Sequence, residues 1–187
     1  MCSQPPYGQL LAAANRLAAL GFRRWLFKPG MEFLAREKWW GRGGARPLPH
    51  EGVDFCLFED DRERQCIFPA ASLVPAALAG RVVKIHPDIL GHTIWLTHGE
   101  ADGMGWRLHT IYGHVVPVAD LAPGSWVAAG VVIGTVAAPA VAGKAITSHL
   151  HLSVARIAAG TVTGGLEWPL LHDGKVAQLL DPQFFLS

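Results

Sequence analysis

Five side chains of the kind that bind metal ions and transfer protons lie along the middle of this 187-residue chain. They are His50 and Asp54 in PHEGVDF, His114 in IYGHV, and His149 and His151 in SHLHLSV. Imidazole nitrogens and a carboxylate oxygen suit zinc, and a catalytic zinc site uses three protein ligands with water in the fourth position. Five such groups supply three ligands and two proton-handling residues, which is the composition of a zinc hydrolase site.

The spacing within the first and last motifs favours a shared direction for these side chains. In an extended strand, residues that are two and four positions apart point to one face. His50 and Asp54 can therefore converge on one ion, and His149 and His151 can line one surface. The two leucines of HLHLSV would then face the core, because this segment alternates as a half-buried strand does.

These motifs resemble those of the lysostaphin/LytM-type zinc metallopeptidases. HEGVD is similar to the HxxxD element of that family, YGH to its tyrosine-x-histidine element and SHLHLSV to its HxH strand, in the same order. A glycine-turned stretch with Gly124 and Gly130 leads to Ile133 and Gly134, and the terminal LLDPQFFL resembles the Asp-Pro close of many members. The resemblance covers about residues 49–186 and implies a compact antiparallel β-sheet fold.

The resemblance also implies a role for each of the five residues. His50, Asp54 and His151 would bind Zn²⁺, and His114 and His149 would be catalytic residues beside the metal-bound water and the scissile carbonyl. Zinc lowers the pKa of its water from 15.7 to about 7. Histidine titrates near neutrality, so either ring could remove the water's proton or hand a proton to the leaving amine. The sequence does not divide these two roles.

Four other polar residues have less definite interpretations. Tyr112 could donate a hydrogen bond to the oxyanion or could be a strand aromatic. His98 stands in LTHG, where the family often has a histidine, and is assigned an orienting role because ligand histidines usually need a partner. His86 and His172 have no place in the pattern and are interpreted as surface or structural residues.

The function implied by the resemblance is zinc-dependent hydrolysis of peptide bonds in the stem or cross-link of peptidoglycan. The alternative is a non-catalytic LytM-like domain that binds cell-wall peptide or activates a partner hydrolase, and the presence of all five residues argues against it. A zinc hydrolase of another peptide stays open, because no signal peptide is visible and no wall-binding module is attached. The resemblance leads us to expect the cell envelope or periplasm.

Composition sets the outer limits of these hypotheses. Half of the residues are hydrophobic (50%), which supports a sizeable core, and 21 glycines with 13 prolines favour a turn-rich β protein. The charges nearly cancel, with 16 basic and 15 acidic residues, so no nucleic-acid footprint is indicated. No apolar run reaches the length of about 18 residues that a transmembrane helix needs.

From residue 49 onward the pattern predicts short antiparallel strands separated by glycine and proline. The predicted strands are 53–58, 65–69, 80–86, 92–98, 106–113, 126–128, 132–137 and 149–156. Residues 8–27 predict an amphipathic helix, because their apolar side chains recur at helical intervals. We therefore expect an N-terminal helical segment and linker over residues 1–45, and a LytM-like zinc metallopeptidase domain over residues 46–187.

Two pairs of residues leave alternatives open. Cys56 and Cys66 flank a predicted hairpin and could form a disulfide in an oxidising compartment or remain two reduced core thiols. Trp39 and Trp40 lie in the predicted linker, where they could cap a cleft. Packing within an exposed loop is the favoured interpretation for both tryptophans.

Overall fold

The computed structural model describes residues 6–138 and 146–185 of the chain, and these residues form a mostly antiparallel β structure. The helices are α1 (Tyr7–Ala14) and α2 (Pro182–Phe185). The strands are β1 (Arg24–Leu26), β2 (Val53–Phe55), β3 (Leu57–Glu59), β4 (Gln65–Ile67), β5 (Leu73–Pro75), β6 (Gly80–Pro87), β7 (His92–His98), β8 (Trp106–Pro117), β9 (Trp126–Val127), β10 (Val132–Val136), β11 (Leu150–Ala158) and β12 (Ala177–Leu180). Within the described residues, no helix has the length and hydropathy needed to cross a bilayer.

The large sheet carries the candidate site. Its strand order is β12-β11-β8-β7-β6-β9, with β2 added to β11 and with β10 joining β8 to β5. Since side chains alternate along a strand, the sheet has one face towards the main core and the other towards a second core. In β7, Ile94 belongs to the main core and Trp95 to the second.

A small sheet of order β1-β3-β4 lies at the start of the chain. Residues 8–27 do not form the single helix that was predicted, because α1 ends at Ala14 and β1 begins at Arg24. Arg16 (φ 53°) and Gly21 (φ 76°) adopt left-handed backbone conformations that interrupt a helix. Leu11, Ala12 and Leu17 of this segment are nevertheless buried.

The N-terminal segment shares the main core with the large sheet. Tyr7, Leu11 and Leu17 pack in one cluster with residues such as Val53 and Leu152. The division of the chain at residue 45 stays a prediction. Because these buried contacts cross it, a test has to measure whether residues 1–45 contribute to the stability of the rest of the chain.

The predicted strands and the antiparallel β class are confirmed, with two differences. The segment 53–58 is divided into β2, which pairs with β11, and β3, which pairs with β1 and β4. The strands β1, β5 and β12 were not predicted, because each has only three or four residues and too few positions to show alternation.

Cys56 and Cys66 are both free thiols. In the β3–β4 pairing, Cys66 lies opposite Phe58 and not opposite Cys56. Burial raises the pKa of the Cys56 thiol to about 12. Cys56 is therefore a small core residue, and not a reactive one.

Candidate metal centre and active site

Two of the candidate ligands face each other across a strand pair. Asp54 in β2 lies directly opposite His151 in β11, so the two side chains project from the same side of the sheet. Strand alternation was expected to bring His50 to the site, but His50 precedes β2 and lies outside the strand. Its backbone N–H donates to the Ala35 carbonyl (2.9 Å), and its carbonyl accepts from the Leu34 N–H (2.8 Å).

The three candidate ligands bring one atom each to a common point. His151 Nδ1 lies 2.9 Å from Asp54 Oδ1 and 3.0 Å from His50 Nε2. His50 Nε2 lies 3.2 Å from Asp54 Oδ1. A tetrahedral ion about 2.0–2.1 Å from each ligand would separate the ligand atoms by about 3.4 Å, so outward shifts of a few tenths of an ångström would admit it.

The hydrogen bonds of this cluster allow the protonation that a cation site requires. A carbonyl can only accept, so His50 Nδ1 carries a proton and donates it to the Glu32 carbonyl (2.9 Å), which leaves Nε2 with a lone pair. His151 Nε2 lies 2.8 Å from Ser153 Oγ, a hydroxyl that can accept the Nε2 proton or donate its own. In the tautomer in which the hydroxyl accepts, two nitrogen lone pairs and a carboxylate oxygen converge, which is the arrangement that binds a cation.

The charges of these groups are those that a metal requires. Burial raises the pKa of Asp54, but the imidazoles of His149 and His50 lower it by more, and the pKa lies well below its ordinary value. Burial lowers the pKa of His151, and its bond to Asp54 opposes this only in part. At neutral pH the site therefore presents a carboxylate and a neutral imidazole, the forms that bind zinc.

The second oxygen of Asp54 is held by Trp39 of the predicted linker and lies near Arg46, at the start of the predicted domain. The Trp39 indole N–H donates to Asp54 Oδ2 at 2.6 Å. The Arg46 guanidinium Nη2 lies 3.8 Å from the same oxygen. The sequence favoured an exposed loop for Trp39, with a cleft-capping role left open, and assigned no role to Arg46, because no motif marks either residue.

His149 lies beside the three candidate ligands with a defined tautomer. Its Nδ1–H donates to the Thr147 carbonyl at 2.8 Å, which leaves the lone pair on Nε2, 3.8 Å from Asp54 Oδ1. Burial lowers the pKa of His149 to about 4, with only partial opposition from Asp54. His149 is therefore a neutral ring that can accept a proton at neutral pH.

His114 reaches the site through an irregularity in β8. The register between β7 and β8 shifts after His92, so that Gly113 and His114 together oppose Thr93. His114 has a φ of 64°, a left-handed conformation that β-bulges near active sites often contain. The bulge places the His114 ring 4.7 Å from the His149 ring, between centroids.

Asp88 binds the backbone N–H of His114 and lies beside its ring. Its Oδ2 accepts from the His114 backbone N–H (2.8 Å) and from Thr93 Oγ1 (3.0 Å). Its Oδ1 accepts from the N–H groups of Leu90 and Gly91 and lies 3.1 Å from His114 Nδ1. Burial raises the pKa of Asp88, but its contacts with His114 and these N–H groups lower it by more. Asp88 is therefore an anion beside the His114 ring.

The structure does not bring Tyr112 or His98 to the site, so Tyr112 is a strand aromatic, the other interpretation left open, and the orienting role of His98 is not supported. Tyr112 is fully buried in the main core, and its hydroxyl accepts from the Ala77 N–H at 2.7 Å. His98 Nε2 lies 2.8 Å from Thr110 Oγ1, and its Nδ1 lies 2.9 Å from the Ala79 carbonyl. These residues form a polar cluster on the face of the sheet opposite the candidate ligands.

A cleft of about 330 Å³ opens over the five candidate residues. Its walls also include Trp40, Arg46, His86, Glu167 and Trp168. The interpretation of His86 as a structural residue agrees with its contacts, because its Nε2 accepts from the Trp95 indole N–H at 3.1 Å. The aromatic walls come from both ends of the chain, so local sequence patterns could not reveal them.

A glycine is required inside the HEGVD motif. A Cβ atom on Gly52 would overlap the carbonyl oxygen of Leu152 in β11. This close approach lets the segment between His50 and Asp54 lie against the strand that carries His151.

Comparisons with known proteins agree with the resemblance in the motifs. The profile of peptidase family M23 matches residues 49–163, a range that includes all five candidate residues. A search of curated proteins finds no match.

Several solved structures are similar to the chain. The catalytic domain of lysostaphin from Staphylococcus simulans is 20% identical over 97% of this chain and 98% of that one, with a TM-score of 0.49. A variant catalytic domain of the prophage-encoded M23 protein EnpA from Enterococcus faecalis is 19% identical over 76% and 82%, with a TM-score of 0.45. A zinc containing peptidase from Vibrio cholerae is 20% identical over 71% and 33%, with a TM-score of 0.44.

Proposed function

Because this chain belongs to peptidase family M23, we propose that it is a zinc-dependent endopeptidase that hydrolyses peptide bonds of peptidoglycan. Membership of the family implies peptidase activity, and peptidoglycan peptide is the family's substrate. The observation that carries the proposal for this chain is the buried cluster of His50, Asp54 and His151, whose ligand atoms lie within 4.8 Å of one another.

The proposed zinc ligands are His50 Nε2, Asp54 Oδ1 and His151 Nδ1. When bound there, zinc would acidify a coordinated water and polarise the substrate carbonyl. The protein would hold each ligand ready through a second polar contact, to Glu32, Trp39 and Ser153 respectively.

His149 is the proposed general base. Its Nε2 carries the lone pair, since Nδ1–H is bonded to the Thr147 carbonyl. Burial keeps the ring neutral at neutral pH, with a pKa of about 4. The ring can therefore take a proton from the attacking water without first losing one of its own.

His114 is the proposed partner of the carbonyl oxygen and the leaving amine. The Asp88 carboxylate, 3.1 Å from His114 Nδ1, favours the ring that carries a proton on this nitrogen. With Asp88 at Nδ1, the other ring nitrogen, Nε2, would be the one that binds the carbonyl oxygen through its N–H and then transfers this proton to the amine. The two histidines would thus divide the roles that the sequence left open.

The zinc content and turnover of two histidine variants test this proposal. We expect His151→Ala to lose both zinc and activity, because it removes a ligand. His149→Ala should keep zinc and lose about 10²–10⁴-fold in kcat, the usual contribution of general base catalysis. His172→Ala, which changes a histidine outside the cluster, is the control. One tightly bound zinc per chain in His151→Ala would contradict the ligand assignment, and normal turnover in His149→Ala would contradict the base.

A further inference from the structure

Residues 36–46 form a hairpin, here called the 36–46 hairpin, that packs against the candidate site. Glu37 and Ala45 form a β-bridge within it. The Lys38 N–H donates to the Gly44 carbonyl (2.8 Å), and the Arg46 N–H donates to the Arg36 carbonyl (2.7 Å). The hairpin lies outside residues 49–163, the range that matches the family profile.

Trp39 of this hairpin contacts two residues of the site. Its indole N–H donates to Asp54 Oδ2 at 2.6 Å. Its ring meets the His149 ring edge to face, with centroids 5.0 Å apart and an interplanar angle of 81°. One side chain therefore touches both a candidate ligand and the candidate base.

The chemistry of the indole suits the orientation of a ligand. An indole N–H can only donate, so Trp39 cannot itself become a ligand. By binding Oδ2, it turns the other oxygen, Oδ1, towards His50 and His151, where it lies 2.9 Å from His151 Nδ1. The Asp54 carboxylate is thereby held in the position for binding an ion through one oxygen.

The hairpin is itself fixed at a second point. The Arg46 guanidinium donates from Nη2 to the Gly30 carbonyl (2.8 Å) and from Nε to the Glu37 carbonyl (3.1 Å). It also stacks over the Trp40 ring, 4.4 Å from the centroid. These contacts of Arg46 therefore fix the hairpin that carries Trp39.

We propose that Trp39 is a positioning residue for Asp54 and His149, and that zinc binding and docking of the 36–46 hairpin stabilise each other. The inference rests on the proposed metal site. Coupling between two binding events is reciprocal, so a hairpin that raises the affinity for zinc must itself be held more tightly when zinc is bound.

Zinc affinity measured by competition with a chromophoric chelator tests the positioning role. Trp39→Phe keeps an aromatic ring beside His149 but removes the donor to Asp54. We expect its zinc affinity to fall about 10–100-fold, the usual cost of losing a hydrogen bond that orients a metal ligand. Trp126→Phe is the control, because Trp126 lies in β9, outside the hairpin, and is 63% exposed. Equal affinity for Trp39→Phe and the unaltered protein would overturn the proposal.

Hydrogen exchange of the hairpin amides tests the coupling without any activity assay. In the unaltered protein, zinc should slow exchange at the Lys38 and Arg46 amides, and this protection should be weaker in Trp39→Phe. If Trp39→Phe does not fold, the unaltered protein decides alone, since no protection by zinc would overturn the coupling. An unaltered protein that binds no zinc would overturn the proposed function as well. If the unaltered protein binds zinc and cleaves substrate, and Trp39→Phe changes neither the zinc affinity nor the protection of the hairpin amides, only this inference is overturned.

Discussion

At the level of single residues, each proposed ligand and the proposed base has one polar atom held by a structural partner and another that faces the site. The partners are the Glu32 and Thr147 carbonyls, the Ser153 hydroxyl and the Trp39 indole. The two carbonyls select the tautomers of His50 and His149, and the Trp39 N–H selects the free oxygen of the carboxylate. Little reorganisation is then needed when an ion or a substrate binds.

Asp88 offers a residue-scale prediction about His114. In Asp88→Asn the carboxylate charge beside His114 Nδ1 is lost, and the amide oxygen keeps the hydrogen bonds of only one of the two carboxylate oxygens. We expect kcat to fall about 10–100-fold with zinc content unchanged, as for other lost orienting partners. Turnover of peptide substrate and elemental analysis of the same sample provide the measurement.

Asp102→Asn is the matched control for that variant. Asp102 Oδ1 also accepts two backbone N–H groups, from Met104 and Trp106, but in an exposed turn. Its replacement should leave kcat unchanged. A normal kcat in Asp88→Asn, or an equal loss in Asp102→Asn, would contradict the role of Asp88.

The grouping of the five residues in one cleft could be predicted because the order of their motifs along the chain is specific. The sequence could not decide between the two interpretations of Tyr112, since simple alternation puts it on the same face as His114. The bulge at Gly113 and His114 breaks that alternation, so that Tyr112 enters the core while His114 reaches the site. Gly113 is the signal that could have indicated the bulge, because a glycine inside a strand often marks one.

At the level of elements, the site depends on the pairing of β2 with β11. Although β2 has only three residues, its register sets Asp54 opposite His151. Gly52, which precedes β2, allows the close contact with β11. A one-residue slip would move Asp54 to the other face of the sheet.

The N-terminal segment offers a prediction at the scale of elements. Leu11 in α1 is fully buried in the main core, whereas Leu20 is 56% exposed. Leu11→Ala should lower the free energy of unfolding by about 2–5 kcal/mol. Leu20→Ala should change it by less than about 0.5 kcal/mol. Urea unfolding of both variants provides the measurement.

Equal stability of the two variants would support a segment 1–45 that is separate from the rest, as the sequence led us to expect. Periodicity predicted helix across residues 8–27 because apolar residues recur in β1 as well as in α1. It could not show that Arg16 and Gly21 turn the chain. Tertiary packing, which periodicity does not report, decides where the helix ends.

At the level of the whole molecule, the sheet buries several histidines in neutral form. Burial lowers the pKa of His109 to about 4, and its Nδ1–H donates to the Arg107 carbonyl at 3.0 Å. A histidine in the unfolded chain titrates near 6.5. Between these two values the unfolded chain binds more protons than the folded chain, so stability falls as the pH is lowered.

This difference predicts the pH dependence of stability in the metal-free protein. The free energy of unfolding should be highest above about pH 6.5 and should decline down to about pH 4. His109→Gln should show a smaller decline, because one of the contributing imidazoles is gone. Urea unfolding in the presence of a chelator provides the measurement. If the free energy of unfolding of His109→Gln declines as much as that of the unaltered protein, His109 does not contribute to the pH dependence.

The antiparallel architecture could be predicted because Gly and Pro mark the ends of most strands. The cleft could not, since Trp40 and Trp168 come from segments far apart in the chain and meet only in the folded protein. Trp39 of the predicted linker and Arg46, at the start of the predicted domain, contact the site for the same reason. The sequence favoured an exposed loop for Trp39 and gave no role to Arg46.

The central claim is that this protein uses zinc to cleave peptide bonds of peptidoglycan, and the most direct test is the release of new amino termini from purified sacculi. The zinc-loaded protein should release amino termini without new reducing sugar ends, a chelator should abolish the release, and zinc should restore it. His149→Ala, loaded with zinc, should bind the same sacculi and release almost none. A zinc-loaded protein that binds sacculi but releases no amino termini at neutral pH would contradict the claim and would identify a binding domain instead.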